Sequence, residues 1–358
     1  MKIMHLLSSN KFSGAENVVC QIISAFKETD IEFIYVSPDG PIADKLKQLH
    51  IRFVPVKYLN ILDLKKIVKE EKPDLIHGHD MLASLFATIA VRRIPIISHI
   101  HNNNFGFKGI VPFAMAATYR MAAHRAKHIF WVSEAAYQGY RYKKHYKEKS
   151  SILHNVIDIE ELYKKVKLDN CEYRYDVIFL GRLTFPKNPE RVLSVIQKVK
   201  ENKKDIKVAM VGTGELDEKI RNQVEEMKLQ QNIELYGFVE NPYKILKNSS
   251  IMLMTSRWEG LPMCALEAMA LGVPIVSTPT DGLKEVVQEG ITGYLREDDA
   301  ELADKILEIL RDEKLRSELS VNAYEQSLQI NSIDKYREEI FRVYKECVND
   351  KGYEISAE

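Results

Sequence analysis

A chain of 358 residues is too long for one ordinary hydrophobic core and suits two domains of about 150 to 200 residues each, with a cleft between them. Its composition, 45% apolar and 28% charged, is that of a globular protein and excludes a disordered chain. The longest apolar run, residues 81–91, is far shorter than the ~20 residues of a spanning helix, and the N-terminus does not resemble a signal peptide. We therefore expect a cytoplasmic protein.

The charge is distributed unevenly along a chain whose net charge is zero. Residues 1–165 hold 24 basic against 16 acidic side chains, a net +8, and the remainder carries −8. Residues 81–133 contain no carboxylate at all, which favours contact with anionic lipid or a phosphorylated acceptor. Buried strands and helices, which rarely contain acids, explain the same stretch equally well. Four scattered cysteines give no reason to expect a disulfide framework or a structural zinc site.

Apolar segments alternate with helix-like segments along the chain, which predicts parallel sheets wound by βαβ units. Strands are predicted in the first half at residues 2–8, 32–37, 51–56, 75–77, 94–101 and 129–132, with a helix at 16–26. After a charged stretch, strands are predicted at residues 176–181, 207–212, 234–236, 251–255, 274–277 and 293–296, and final helices at 315–327 and 332–348.

These elements predict an α/β protein with two Rossmann-like, doubly wound domains that face a central cleft. We expect a first domain at residues 1–165, a second domain at residues 166–330, and a C-terminal helix within residues 331–358 that packs back on the first domain. Ligands of such sheets bind beyond the carboxyl ends of the strands. Functional side chains are therefore expected directly after strands.

The most informative segment is residues 256–274, where a strand end, a short loop and a helix follow one another. The helix is predicted to begin at Pro262, and the free N–H groups of its first turn suit a diphosphate. Glu267 lies inside this helix and leans back toward its start, where a carboxylate can accept from the two vicinal hydroxyls of a ribose. Glu259 in the loop can do the same for a sugar ring. Alternatively, Glu267 only supports the helix surface and Glu259 only caps the helix.

A second cluster, residues 181–188, follows the first strand of the second half. It contains Arg182 and Lys187, a guanidinium fork and a point charge that can stabilise the negative charge developing on a departing diphosphate. Such a pair is also common in surface loops. The position after a strand, beside Gly181, favours a functional interpretation.

With these segments the sequence resembles the family 4 glycosyltransferases of the GT-B fold over nearly its whole length. The most specific marks are the E-x7-E pair, Glu259 and Glu267, and the Gly-Arg-Leu…Lys-Asn segment at residues 181–188. A Ser-Gly-Ala-Glu loop at residues 13–16 and His-Asn-Val-Ile-Asp at residues 154–158 match less specifically. Where the family often has two adjacent glycines in the first loop, this chain has a serine before Gly14.

The resemblance implies a donor site in which Arg182 and Lys187 hold the diphosphate, Glu267 the ribose and Glu259 a donor-sugar hydroxyl. It also implies retention of the anomeric configuration without a catalytic metal. The second domain is then expected to bind the nucleotide sugar, and the first domain to be the acceptor side. Further donor contacts are expected from Gly14, Gly260 and Leu261, and contacts with the nucleotide base from Gly212, Gly237, Phe238 and Val239.

Two histidine pairs follow predicted strands of the first half, His77 with His79 and His99 with His101. Residues two apart on a strand share a face, so either pair can be interpreted as metal ligands, but neither has an acidic or cysteine cluster at an established spacing. The resemblance implies that His101 lies near the transferred sugar, where it can bond a hydroxyl and stabilise positive charge at the anomeric carbon. We interpret the other three as packing or polar cleft residues.

The stretch from residue 105 to residue 125 is apolar and basic, and a helix beginning near Pro112 is predicted to pack on the sheet. If the loop before it is exposed, Phe105, Phe107 and Lys108 are positioned to touch a lipid-linked acceptor or the inner membrane surface.

We therefore expect a retaining glycosyltransferase that moves a hexose or N-acetylhexosamine from a UDP-sugar to a glycan or lipid-linked acceptor in surface polysaccharide biosynthesis, such as capsule formation. No cofactor, no metal and no nucleic-acid partner are expected. Residues 212–215 lack the third glycine of a dinucleotide fingerprint, and no G-x4-G-K-[ST] loop exists. A sugar-nucleotide epimerase of similar fold and a non-catalytic protein that binds sugar nucleotides remain open alternatives.

Overall fold

The computed structural model of the protein describes residues 1–102 and 110–349. The chain divides into two compact units. The first consists of Met1–Asn155 and the C-terminal segment that begins at Ile333, and the second is Val156–Ser332. Lys165, where the sequence places the boundary, lies inside a helix of the second unit, and its carbonyl accepts from the side-chain amide of Asn241 at 2.8 Å.

Within the described residues, the first unit is built on a seven-stranded parallel sheet with the strand order β3-β2-β1-β4-β5-β6-β7. The strands are β1 (Lys2–Leu6), β2 (Glu32–Pro38), β3 (Phe53–Val56), β4 (Leu75–His79), β5 (Ile96–Ile100), β6 (His128–Trp131) and β7 (Ser150–Ile152). The helices are α1 (Gly14–Ala25), α2 (Ile42–Gln48), α3 (Ile61–Glu71), α4 (Asp80–Ala90), α5 (Ile110–Arg125) and α6 (Glu134–Gly139), with a 3-10 helix at Lys143–Lys149.

The described part of the second unit has a six-stranded parallel sheet with the order β10-β9-β8-β11-β12-β13. The strands are β8 (Tyr175–Leu180), β9 (Val208–Val211), β10 (Ile233–Gly237), β11 (Ser249–Met254), β12 (Ile275–Ser277) and β13 (Gly293–Leu295). The helices are α7 (Ile159–Leu168), α8 (Pro189–Asn202), α9 (Asp217–Glu226), α10 (Tyr243–Lys247), α11 (Met263–Ala270), α12 (Asp281–Lys284), α13 (Asp299–Arg311) and α14 (Glu313–Ile330).

Each sheet is buried because helices cover it, and this explains the near-continuous apolar strands. In the first unit, Met4, Ile34 and Ile76 of adjacent strands pack in one core cluster with Ala83 and Ala87 of α4. In the second unit, a core cluster joins residues of β8, β9 and β11 to the apolar faces of α8 and α13. The prediction of an α/β protein with two doubly wound parallel sheets is confirmed.

The last helix, α15 (Ile333–Asn349), belongs to the first unit. Its Tyr344 stacks on Phe26, with ring centroids 6.1 Å apart, and its hydroxyl lies 2.8 Å from Nδ1 of His77 in β4. This is the helix that the sequence places back on the first domain.

Two local predictions differ from the structure. Helix α11 begins at Met263, and Pro262 precedes it as an extended residue with φ −72° and ψ 121°. Proline fixes only φ, and this value suits both a first helical residue and an extended one, so the sequence could not separate the two.

Strand β7, with the sequence Ser-Ser-Ile, has no apolar run and was not predicted. Among the described residues, no helix is both long and apolar enough to cross a bilayer.

Candidate functional site

Three glycines bring together the carboxyl ends of neighbouring strands in the second unit. The N–H of Gly212 donates to the carbonyl of Gly237 at 2.8 Å. Gly212 has φ +136°, and a Cβ added there would lie 1.9 Å from the carbonyl oxygen of Gly181, so this position requires glycine. Phe238, directly after β10, is 72% exposed, and Val239 beside it is half-buried. The residues predicted to contact a nucleotide base therefore lie at one edge of the sheet.

Lys187 in the loop between β8 and α8 forms an ion pair with Glu259. Its Nζ lies 2.5 Å from Oε1 of the carboxylate, and the hydroxyl of Ser256 donates to the same oxygen at 2.6 Å. Burial opposes the charged form of Lys187, but the Glu259 carboxylate outweighs this effect and the pKa of the ammonium group is raised. Oε2 of Glu259 has no hydrogen bond from any described residue. One carboxylate oxygen is thus fixed while the other is available to a ligand.

Arg182 is exposed in the same loop, and its guanidinium forms no hydrogen bond or ion pair with the residues that the structure describes. Its charge acts on Lys187 and disfavours protonation there. Two cations therefore lie close together, and the single carboxylate of Glu259 compensates only one of them. The excess positive charge suits a bound diphosphate.

Glu267 in helix α11 also has one carboxylate oxygen held by a protein group. It is buried in α11, and Oε1 accepts a hydrogen bond from the hydroxyl of Tyr243 at 3.2 Å. Burial raises the pKa of this carboxyl group to about 7, although the Tyr243 hydrogen bond and the charge of Lys165 act in the opposite direction. Oε2 has no hydrogen-bond partner in the described part of the chain.

The loop that carries Glu259 is fixed by a close backbone contact. A Cβ added at Gly282 in α12 would lie 1.8 Å from the carbonyl oxygen of Gly260, so the two backbones touch directly. The neighbouring Leu261 is buried. Cys264, in the first turn of α11, interacts electrostatically with Lys187, Glu259 and Glu267, and burial raises the pKa of its thiol to about 12. The predicted diphosphate, sugar and ribose contacts thus surround one helix start.

Gly14 and His101 belong to the first unit. Gly14 is the first residue of α1, and the preceding Ser13 donates from both its N–H and its hydroxyl to Oε2 of Glu16. A Cβ added at Gly14 would meet no atom within 4 Å, so the space beside its Cα is open. Contact between this amide and a donor phosphate stays a prediction.

His101 follows β5 directly and is half-buried. Its Nε2 lies 2.8 Å from Nδ1 of His79, and its backbone N–H donates to the carboxylate of Asp80 at 2.9 Å. Burial lowers the pKa of His101 to about 3, so the imidazole is neutral at pH 7. The predicted lipid contacts Phe105, Phe107 and Lys108 lie outside the described residues.

The sequence did not predict the residues that hold Glu259, Glu267 and their loop in position. Ser256 lies three positions before Glu259 in the same loop, so its hydrogen bond to Glu259 could have been predicted from the sequence. Tyr243 and Gly282 lie in other elements, and no local pattern connects them to the glutamates. Their contribution depends on tertiary contacts.

The fold is shared with structurally characterised glycosyltransferases. The crystal structure of HepE from Anabaena in complex with UDP-glucose matches with a TM-score of 0.83 and 20% identity, and the match covers 97% of this chain and 100% of that one. The two parallel-sheet units and this likeness define the GT-B fold of glycosyltransferases.

Sequence comparison identifies the family. The model described as "Glycosyltransferase Family 4" matches residues 12–161, and the model "Glycosyl transferases group 1" matches residues 159–326. The chain belongs to the family 4 glycosyltransferases, and the enzyme class predicted from the sequence is confirmed.

Two relatives illustrate the relationship. The UDP-Gal:alpha-D-GlcNAc-diphosphoundecaprenol alpha-1,3-galactosyltransferase of Escherichia coli is 25% identical, and the alignment covers 98% of each chain. An uncharacterized glycosyltransferase of Methanocaldococcus jannaschii is 30% identical over 233 residues. This alignment covers 60% of this chain and 57% of that relative.

Proposed function

We propose that the protein is a retaining glycosyltransferase that moves a hexose or N-acetylhexosamine from a UDP-sugar to a glycan or lipid-linked acceptor in surface polysaccharide biosynthesis. The observation that carries this proposal is the pair of glutamates in the second unit. Glu259 and Glu267 each have one carboxylate oxygen fixed by protein groups and the other unpaired, beside the excess positive charge of Arg182 and Lys187. Fixed acceptors next to a cationic loop are suited to a ligand that is both hydroxylated and anionic.

The relatives support the classes of donor and acceptor. HepE was crystallised with UDP-glucose, and the Escherichia coli relative is named as a transferase from UDP-Gal to a diphosphoundecaprenol-linked sugar. Exposed Phe238 at the edge of the sheet offers an aromatic face for a pyrimidine base. A uridine nucleotide and a lipid-linked acceptor are therefore our first choices.

In the proposed reaction, the bond between the anomeric carbon and the leaving phosphate oxygen breaks while the acceptor hydroxyl attacks from the same face. The hydroxyl proton passes to the leaving phosphate, so no protein nucleophile is required. Arg182 and Lys187 stabilise the charge that develops on the diphosphate, which is the function proposed for them instead of a metal ion. Glu259 positions the sugar and Glu267 the ribose.

The first experiment identifies the donor. Thermal shift measurements with a panel of nucleotide sugars should show stabilisation by a UDP-sugar, because a ligand that binds only the folded state raises its stability. The selected donor is then incubated with candidate acceptors, and chromatography of the nucleotide products follows. Free UDP that appears only with acceptor supports transfer, and NMR of the product gives its anomeric configuration. An altered sugar still attached to UDP indicates an epimerase, and binding without any turnover indicates a non-catalytic protein.

A matched pair of variants tests the cationic loop. Lys187→Met should reduce turnover by about 100-fold or more, since it removes a charge aimed at the leaving group. Lys219→Met removes a similar ion pair of the same unit, 2.5 Å from Glu190, but 55% of the Lys219 side chain is exposed to solvent. Such surface pairs contribute about 0–1 kcal/mol, so this control should retain turnover. Equal losses in both variants would contradict the assignment of the site.

We also propose that the protein contacts the inner membrane surface through its first unit. Helix α5 exposes Val111, Phe113 and Met121, and it contains no acidic residue. Arg141 lies over the ring of Phe113 at 5.2 Å, so cationic and apolar groups share this surface. Exposed apolar residues beside basic ones are typical of interfacial binding. Sedimentation with liposomes should show binding that depends on anionic lipid and decreases in Phe113→Glu; no pelleting with anionic liposomes would contradict the proposal.

A further inference from the structure

Five histidines lie on one face of the sheet in the described part of the first unit. His5 of β1 pairs in register with His77 of β4, and His79 pairs with His99 of β5. Residues paired in register on parallel strands, and residues two apart on one strand, point to the same face. His101, two residues beyond His99, continues the series to the carboxyl edge of the sheet. The rings form a staircase in which His99 and His101 have centroids 4.1 Å apart.

The hydrogen bonds of this histidine staircase are incomplete. Contacts of 2.8 Å use half of the ten ring nitrogens: His5 Nδ1 with His79 Nε2, His79 Nδ1 with His101 Nε2, and His77 Nδ1 with the hydroxyl of Tyr344. The other ring nitrogens are buried and have no hydrogen-bond partner among the described residues, and both nitrogens of His99 are in this group. Buried polar atoms are normally paired, and each neutral imidazole carries one lone pair, so the cluster can offer several nitrogen lone pairs to one ligand.

The outer end of the staircase has the geometry that such a ligand requires. His79, His99 and His101 each offer a ring nitrogen, and these three atoms lie within 4.8 Å of one another. Three imidazoles on a tetrahedral zinc ion, with Zn–N distances of about 2.0–2.1 Å, place their nitrogens about 3.3 Å apart. The 2.8 Å contact between His79 and His101 needs to lengthen by only a few tenths of an ångström to admit an ion.

The surroundings of this outer triad favour it over the inner triad of His5, His77 and His79, which also has three ring nitrogens within 4.8 Å. His5 and His77 are fully buried, whereas His101 is half-buried and gives an ion access from solvent. The carboxylate of Asp80, bonded to the backbone N–H of His101, supplies negative charge beside the outer triad. Ligation through Nδ1 of His79 also leaves its Nε2 bonded to His5, the kind of outer contact that orients metal-binding histidines.

We propose that His79, His99 and His101 bind one divalent transition-metal ion of the zinc or cobalt class, with the fourth coordination position open. The ion replaces the hydrogen bond between His79 and His101 and gives the unpaired His99 a partner. This site contains none of the donor contacts of the second unit, but it shares His101 with the predicted contact to the transferred sugar. Its test measures metal binding without a nucleotide sugar, so either proposal can fail without the other.

The experiment uses the full-length protein without a polyhistidine tag, stripped of metal by chelation and dialysis. Titration with cobalt(II) should give one equivalent of binding and visible d–d absorption of tetrahedral intensity, which zinc(II) then displaces. His99→Phe should weaken binding by more than about 100-fold, because loss of a ligand exceeds the 10–100-fold effect typical of an outer-shell change. His145→Ala, an exposed histidine of the same unit, is the control and should bind normally.

Three results would overturn the proposal. The first is no stoichiometric binding by the folded wild-type protein. The second is binding that survives in His99→Phe but is lost in His5→Phe, which would assign the ion to the inner triad. The third comes from X-ray absorption of the zinc-loaded wild-type protein, where fewer than three imidazole ligands would exclude the triad. That measurement needs no variant, so it decides the matter even if His99→Phe does not fold.

Discussion

Replacing Glu267 by glutamine tests two things: the proposed ribose contact, and the effect of burying the Glu267 carboxyl group on the free energy of unfolding. Burial raises the pKa of Glu267 from 4.5 to about 7 in the folded protein. The folded state therefore holds this proton more tightly than the unfolded chain. Between these two pKa values the unfolded chain releases the proton first, so the free energy of unfolding falls as pH rises from about 4.5 to about 7.

The size of the effect follows from the shift. The rise of the pKa from 4.5 to about 7 corresponds to about 3 kcal/mol of free energy. Glutamine keeps an oxygen that accepts from Tyr243 and cannot ionise. At pH 8, Glu267→Gln should therefore be more stable than the wild type by about 2–3 kcal/mol, and at pH 5 by less than about 1 kcal/mol. Urea denaturation at both pH values measures the difference.

Donor binding should respond in the opposite sense. The vicinal hydroxyls of a ribose donate to the ionised carboxylate, whose fraction rises from about a tenth at pH 6 to about nine-tenths at pH 8 for a pKa near 7. Affinity for UDP-glucose, measured by calorimetry, should thus increase about tenfold over this interval. The diphosphate diester of this probe does not titrate there. Glu267→Gln should bind more weakly at pH 8 and show no such dependence.

Two results would refute this reasoning. If the stability of the wild type relative to Glu267→Gln does not fall between pH 5 and pH 8, the carboxyl group does not have a raised pKa. If the variant keeps the tenfold pH dependence of affinity, another group is responsible. Tyr243→Phe provides an internal check: it removes a hydrogen bond that lowers the pKa of Glu267, so the midpoint of the affinity profile should move to higher pH.

Three further predictions concern the rest of the site. Gly212→Ala should destabilise the protein by more than about 2 kcal/mol in urea denaturation, because its Cβ would lie 1.9 Å from a carbonyl oxygen, whereas Gly14→Ala, with no atom within 4 Å, should not. His101→Ala should lower turnover by about 100-fold or more, because it removes a group that stabilises charge at the anomeric carbon, while donor affinity measured by calorimetry falls by less than about tenfold; unchanged turnover would exclude a role in transfer. EDTA should not lower turnover by more than about twofold, and a larger loss restored by added Mg²⁺ would indicate a catalytic metal.

The fold could be predicted well because two features of the sequence occur together: apolar runs, and polar or glycine residues directly after them. Apolar runs such as residues 251–255 are buried strands of parallel sheets, and polar or glycine residues follow them at the edge where ligands bind. Gly181 and Gly212 were therefore placed correctly at strand ends. Strand β7 was not predicted because its three residues carry no strand pattern, and it is a strand only through its pairing with β6.

The supporting contacts of the candidate site could not be predicted in the same way. Tyr243 lies 24 residues before the Glu267 that it bonds, and nothing in the intervening sequence specifies their meeting. The histidines show a related limit. Each pair was visible as alternate residues on a strand, but the contact of His5 with His79 depends on β1 lying beside β4. Strand order is a tertiary property, so a cluster of five histidines looked like two separate pairs.

The unpaired oxygens of Glu259 and Glu267 give the donor a thermodynamic role beyond binding. Burial of the Glu267 carboxyl group destabilises the empty protein above pH 7, and a ribose that donates two hydrogen bonds to the carboxylate offsets this penalty. Stabilisation by UDP-glucose at a fixed concentration should therefore be larger at pH 8 than at pH 6. For a tenfold tighter affinity at saturating donor, the additional free energy of unfolding is about 1.4 kcal/mol. If the donor stabilises wild type and Glu267→Gln by amounts that change equally with pH, the ribose does not contact this carboxylate.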